Sequence, residues 1–167
     1  MLPEKFSFPD KHLSATNRFK FGDRSPKLSQ MFDSRPVFAF DFLCCSDHEF
    51  SLFHPNVTVF DFHTTLTRFH ELSRITLRVL SENSENLRFH DVTAKVQCHS
   101  ILLDDLARVF KINTVDFFQA PQLFQIEVYT DNKKDYASRI IGFFGQGCEF
   151  HVIWFDRLHK LYPRTRK

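Results

Sequence analysis

Apolar and polar residues alternate with a period of two through several stretches of this chain, the spacing of strands that bury one face. Residues 37–43 put Phe38, Phe40 and Phe42 on one side, and residues 57–62 repeat the pattern. The two stretches share Phe-Asp-Phe at 40–42 and 60–62 and predict a pair of strands, not a repeat. Phe6/Phe8 and Phe19/Phe21 predict brief strands in the polar, Pro-punctuated first 36 residues. The period then changes. Thr64 or Thr65 can cap a helix to about Ser73 with Leu66, Phe69 and Leu72 on one side, and Thr76 can cap a short helix through Leu80. Residues 81–86 are a polar break, 87–92 a short strand, and 101–110 a helix carrying Leu102, Leu103, Leu106, Val109 and Phe110.

From Pro121 the period returns to two. Phe124, Ile126 and Val128 alternate with Gln125 and Glu127, which predicts a strand with one wet face. Residues 131–135 read as a turn and 139–144 as a second strand. Gly145-Gln146-Gly147 makes a tight turn, and 148–155 is a third strand, apolar on both faces and therefore central. Three of the four glycines stand at 142, 145 and 147, which makes this hairpin the best-specified feature. Residues 156–159 then turn the chain, and 160–162 add a short edge segment before Pro163. The expected fold is one α+β domain over 1–167: an antiparallel sheet with a few helices packed on one face and a C-terminal three-stranded meander. Within it, 1–62 is a Phe-rich strand region, 63–112 is helical, 121–163 is the meander and 164–167 a basic tail.

Composition narrows this further. The chain has 167 residues, the size of one domain, and 43% hydrophobic residues, enough for a packed core. Phenylalanine supplies 22 residues against one Trp and three Tyr, and rings without a polar handle belong mostly in the core. Net charge is only +2, which excludes a strongly basic nucleic-acid binder. Placement counts for more than the total: Arg157, Lys160, Arg164, Arg166 and Lys167, with His159, form an acid-free block from 157 to 167 able to hold phosphate. Cys44, Cys45, Cys98 and Cys148 follow no disulfide-framework spacing. With no leader-like start and no apolar run long enough to span a bilayer, a cytoplasmic protein with reduced thiols is expected.

The C-terminal residues carry a resemblance. Residues 139–143, Arg-Ile-Ile-Gly-Phe, followed by 150–163, Phe-His-Val-Ile-Trp-Phe-Asp-Arg-Leu-His-Lys-Leu-Tyr-Pro, resemble the ending of a family of small uncharacterised bacterial and prophage proteins. Those endings read roughly Arg-Val-His-Gly-Phe, then Phe-x-x-x-Trp-x-Asp-x-x-His-x-Leu-Tyr. Residues 72–76 and 5–8 are also similar to that family, and Ile141 stands where relatives often carry His. A weaker similarity is to RelE/YoeB-type ribonuclease toxins, which place helices before a twisted antiparallel sheet and end in a segment with His and Tyr. That likeness implies His159 and Tyr162 in those places, with Arg139 and Lys160 as cations.

Metal-independent RNA cleavage needs a base for the 2′-hydroxyl, an acid for the leaving oxygen and a cation for the phosphorane. His159, Tyr162 and Arg139 are the candidate catalytic residues, and Arg157, Lys160, Arg164, Arg166 and Lys167 the candidate nucleic-acid contacts, with His151 and His90 as second imidazoles. The competing expectation is a turn stabilised by Asp156 and His159, with Trp154, Leu161 and Tyr162 packed and His151 a hydrogen-bonded, half-buried residue. Cys148-x-x-His151, Cys98-His99 and Cys44, Cys45 and His48 offer metal-ligand types, but no CxxC exists and 148 and 151 point to opposite faces of a regular strand, so no metal and no cofactor are expected. No phosphate-binding loop, dinucleotide fingerprint or serine-hydrolase elbow occurs. Two function classes follow: a toxin-like, metal-independent endoribonuclease in conflict between bacteria and phage, with RNA and a cognate antitoxin as partners, or a non-enzymatic phage or prophage protein that binds and inhibits a host defence protein.

Overall fold

A computed structural model describes residues 27–110, 121–131 and 136–161. Five strands, β1 (Val37–Ala39), β2 (His90–Asp91), β3 (Leu123–Asp131), β4 (Tyr136–Phe144) and β5 (Glu149–Asp156), form one sheet in the order β1-β5-β4-β3-β2. Only β1 runs parallel to its neighbour; β3, β4 and β5 are the expected antiparallel meander. The fold is thus α+β with a mostly antiparallel sheet. The helices are α1 (Val59–Leu72), α2 (Leu77–Glu82), α3 (Ser84–Leu87), α4 (Thr93–Val96) and α5 (Ser100–Val109). Among the described residues no helix is long and apolar enough to cross a membrane. The strands expected around Phe6/Phe8 and Phe19/Phe21 fall outside the described residues.

Residues 57–62 are not a strand but the entry and first turn of α1. Thr58 caps the helix: its hydroxyl accepts from the Asp61 amide at 3.3 Å and the Asp61 carboxylate accepts from the Thr58 amide at 2.7 Å. This reciprocal pair satisfies two orphan donors of the first turn, so the helix starts well before Thr64 or Thr65. Thr76 caps α2 as expected, and α5 matches the predicted helix within a residue. The 81–86 break shortens to the junction of α2 and α3.

Helices cover both faces of the sheet. Phe69 and Leu72 of α1 with Leu77 and Leu80 of α2 pack on Phe124, Ile126, Ile140 and Phe150. Val96 of α4 with Leu102 and Leu106 of α5 packs on Leu123, Ile141, Phe143 and Trp154. Placement on one face therefore needs correcting: the second face is also apolar and must be covered. For the same reason the face of β3 expected to be wet is closed at its start, where Gln125 is 1% exposed.

Irregularities shape the meander, among them a β3–β4 register shift between Glu127 and Tyr129. Between Ile141 and Gly142 the β4–β5 register slips, so Gly142 faces Val152 while Ile141 faces Trp154. The extra residue sends Ile153 and Trp154 into the same apolar cluster. Strands come so close there that a Cβ on residue 142 would lie 2.1 Å from the His151 carbonyl oxygen, which only glycine permits. At the turn, Gly147 (φ 85°) and Cys148 (φ 70°) take the left-handed conformation.

Candidate functional site

The sequence-predicted residues are spread over two faces. Arg139 on β4 is 1% exposed, pairs with Glu127 at 3.2 Å and donates to the Ser138 and Tyr129 carbonyls and the Thr130 hydroxyl. Its register partner on β5 is Asp156. Asp156 is buried, and its carboxylate accepts from the amides of Lys160 (2.9 Å) and Leu161 (2.8 Å). Burial raises the pKa of Asp156, partly offset by those two amides. The turn-stabilising role expected of Asp156 is therefore observed. His159 lies in that turn with φ 54°, half-buried. Lys160 pairs with Glu49. Arg157 reaches the other side of the sheet, to α1. Arg139 and His159 thus flank Asp156, and Arg157 does not join them. Tyr162, Arg164, Arg166 and Lys167 lie outside the described residues.

Arg157 belongs to a cluster that sequence reasoning missed. Asp61, 1% exposed, is the centre. Its Oδ2 accepts from the Thr58 amide and hydroxyl (2.7 and 2.8 Å) and from Arg157 Nε (3.0 Å), and its Oδ1 accepts from the Tyr136 hydroxyl. Burial alone would raise the Asp61 pKa; the hydrogen bonds from Tyr136, Thr58 and Arg157 outweigh it and hold the carboxyl below its usual range. Tyr136 is pushed the other way, by burial and then by Asp61. The Arg157 guanidinium sits 5.3 Å above the Tyr136 ring. Above this cluster opens a pocket of about 250 Å³ lined by Phe60, Tyr129 and Asp131 as well. The capping pattern Thr58-x-x-Asp61 was a readable signal for it.

A second missed centre is Asp105 of α5. Its Oδ2 accepts from Trp154 Nε1 (2.9 Å), Cys44 Sγ (3.1 Å) and His48 Nε2 (2.5 Å). Arg108 lies 3.3 Å from Oδ1. An acid at 105 on the same helix face as Leu102 and Leu106 was the sequence signal. Cys44, His48 and Asp105 are metal-ligand types with their ligand atoms within 4.8 Å of one another. Two observations decide what they do. His48 Nδ1 accepts from the Phe50 amide at 3.1 Å, so the ring proton is on Nε2, aimed at Asp105. In that arrangement His48 has no Nε2 lone pair to offer a metal or to take the Cys44 proton, and no group accepts from Nδ1 as the outer partner of a metal-bound histidine would. Burial pushes the Cys44 thiol up, partly offset by Ser46. The cluster ties the 43–50 segment and α5 to β5; it holds rather than reacts.

His151 takes the hydrogen-bonded role expected of it, but it is buried rather than half-buried. It is 6% exposed, stacks on Phe143 with centroids 4.8 Å apart and bonds Asp41 through Nδ1 at 2.8 Å. Cys148 lies in the other apolar cluster, so the two do indeed face opposite ways.

What defines the chain is therefore an α+β sheet with buried carboxylates at Asp61, Asp105 and Asp156, each accepting several hydrogen bonds. No family model, no curated protein and no solved structure matches it.

Proposed function

We propose that this chain is a non-enzymatic binding protein whose docking face is the outer side of α1. The observation that carries this is a set of exposed apolar side chains: Val59 at 86%, Phe62 at 39% and Leu66 at 62%. Together with exposed His63 and His70 they recur at i, i+3, i+4, i+7 and i+11, one stripe opposite the buried Asp61, Thr65, Phe69 and Leu72. Phe40, 45% exposed, packs edge-on against Phe69. A helix that is apolar on its outer side gains by covering it. The stripe carries two imidazoles and no carboxylate, so its complement is an apolar partner segment with an acidic rim. The resemblance of the chain's ending to bacterial and prophage proteins makes a host defence protein the partner class to try first.

The ribonuclease reading draws less support. It asks Arg139 to meet a phosphate, and Arg139 is held by Glu127. Lys160 is likewise occupied by Glu49, and Arg157 reaches the other side of the sheet, away from Arg139 and His159.

The test compares the native protein with Val59→Ser/Phe62→Ser/Leu66→Ser as bait in lysate of a bacterial host, followed by reconstitution with the purified partner. The expected result is a stoichiometric complex with an acidic protein that the triple variant fails to form at an unchanged melting temperature. A partner retained by the variant, or a native homodimer that the variant turns into a monomer, overturns the assignment.

A further inference from the structure

We infer that the pocket between the start of α1 and the ends of β3, β4 and β5 binds a nucleotide, by a ring against its aromatic walls and a phosphate on Arg157. Arg157 is the first observation. Among the described residues its side chain hydrogen-bonds through Nε, to Asp61, which leaves the terminal amino groups facing the pocket wall for a ligand. Its side chain is 25% exposed against 1% for Asp61, so the anchor is desolvated while the cation still meets solvent. Asp61 holds Arg157 and Tyr136 in place before any ligand arrives, which lowers the ordering cost of binding. Guanidinium suits phosphate because its planar fork gives paired, charge-assisted hydrogen bonds.

The walls are the second observation. Phe60 and Tyr129 meet edge to face at 5.2 Å, and Tyr129 and Tyr136 lie 5.9 Å apart. Phe60 is 51% exposed and lines this pocket, whereas Val59, Phe62 and Leu66 of the proposed docking face do not. Exposed aromatic faces of this kind stack on nucleobases. On the far side Asp131 lines the pocket and accepts from the Tyr129 hydroxyl at 3.5 Å. A carboxylate there repels a second phosphate but suits the amino group of a base or a ribose hydroxyl. A volume of about 250 Å³ gives room for a base and its phosphate.

A free mononucleotide and one nucleotide within a single RNA strand present the same chemistry, and the experiment separates them. The full chain is titrated calorimetrically with AMP, adenosine, inorganic phosphate and a single-stranded RNA hexamer. AMP is expected to bind one site, adenosine and phosphate each at least tenfold more weakly, and phosphate to compete with AMP. Arg157→Gln should lose at least tenfold in AMP affinity and Phe60→Ala severalfold. Because Phe60→Ala leaves the Asp61 anchor untouched, it tests the site even if Arg157→Gln does not fold. If only the hexamer binds, with the same dependence on Arg157 and Phe60, the nucleotide is taken from an RNA strand. Absence of binding by both AMP and the hexamer at millimolar concentration, or affinity unchanged in Phe60→Ala, overturns the inference.

Discussion

Asp105→Ala removes one buried carboxylate and leaves three donors without their acceptor. Trp154 is fully buried, so its indole N–H has no water to turn to. His48 is 18% exposed and recovers part of its loss, and the Cys44 S–H is a weak donor. A buried donor left unsatisfied costs about 1–3 kcal/mol, more when its lost partner was charged. Against this stands the relief of no longer desolvating a carboxylate, which is modest because Arg108 and three donors already compensate it. The net expectation is a loss of about 3–5 kcal/mol, in the range found when one partner of a buried ionic group is removed. For a domain of this size that lowers the melting temperature by on the order of 10 °C. Asp105→Asn keeps an oxygen for Trp154 and should cost only about 1–2 kcal/mol. Trp154 is the sole tryptophan, so urea unfolding followed by its fluorescence reads the site directly. A double-mutant cycle with Trp154→Phe, followed by circular dichroism because those variants have no tryptophan, should give a coupling of about 1–2 kcal/mol. An Asp105→Ala loss below about 1 kcal/mol, or strict additivity with Trp154→Phe, would refute the three-donor account.

Asp61 gives a pH dependence. Its folded pKa is depressed, so its contribution is present above the unfolded carboxylate value near about 4 and is lost as pH falls through the folded value. Tyr136→Phe removes a leading donor, so acid unfolding followed by circular dichroism should move to higher pH, and an unmoved midpoint would count against the cluster. Of the four cysteines, Cys45 and Cys98 are exposed, whereas Cys44 is buried and burial, then Glu149, pushes Cys148 up to about 11. A thiol-reactive dye at pH 8 should therefore label two thiols quickly and two only on unfolding; three fast thiols would contradict the packing. Gly142→Ala places a methyl against the His151 carbonyl and should cost about 3 kcal/mol or more, read by thermal melting, while a near-neutral outcome would mean the strands can separate there.

Much of the architecture was legible because local rules and tertiary needs agreed. Period-two stretches after Pro121 became the meander, Thr76 became a cap, and the glycines of the last hairpin stand where a close approach and a positive φ require them. Residues 57–62 misled because α1 exposes Val59 and Phe62 on its outer side. Apolar residues on a solvent-facing helix surface mimic strand alternation, and only the Thr58–Asp61 cap spoke against it. The C-terminal candidates were read from residue type, which says what a side chain can do but not what it already touches. Arg139 is consumed by Glu127, twelve residues away on the neighbouring strand, and Arg157 is anchored by Asp61, 96 residues away. Cys44, His48 and Trp154 meet Asp105 across separations of 61, 57 and 49 residues. Periodicity and capping act over three or four residues and can be read along a chain. Which acid answers which cation is set by strand register and helix packing, and only the folded chain decides it.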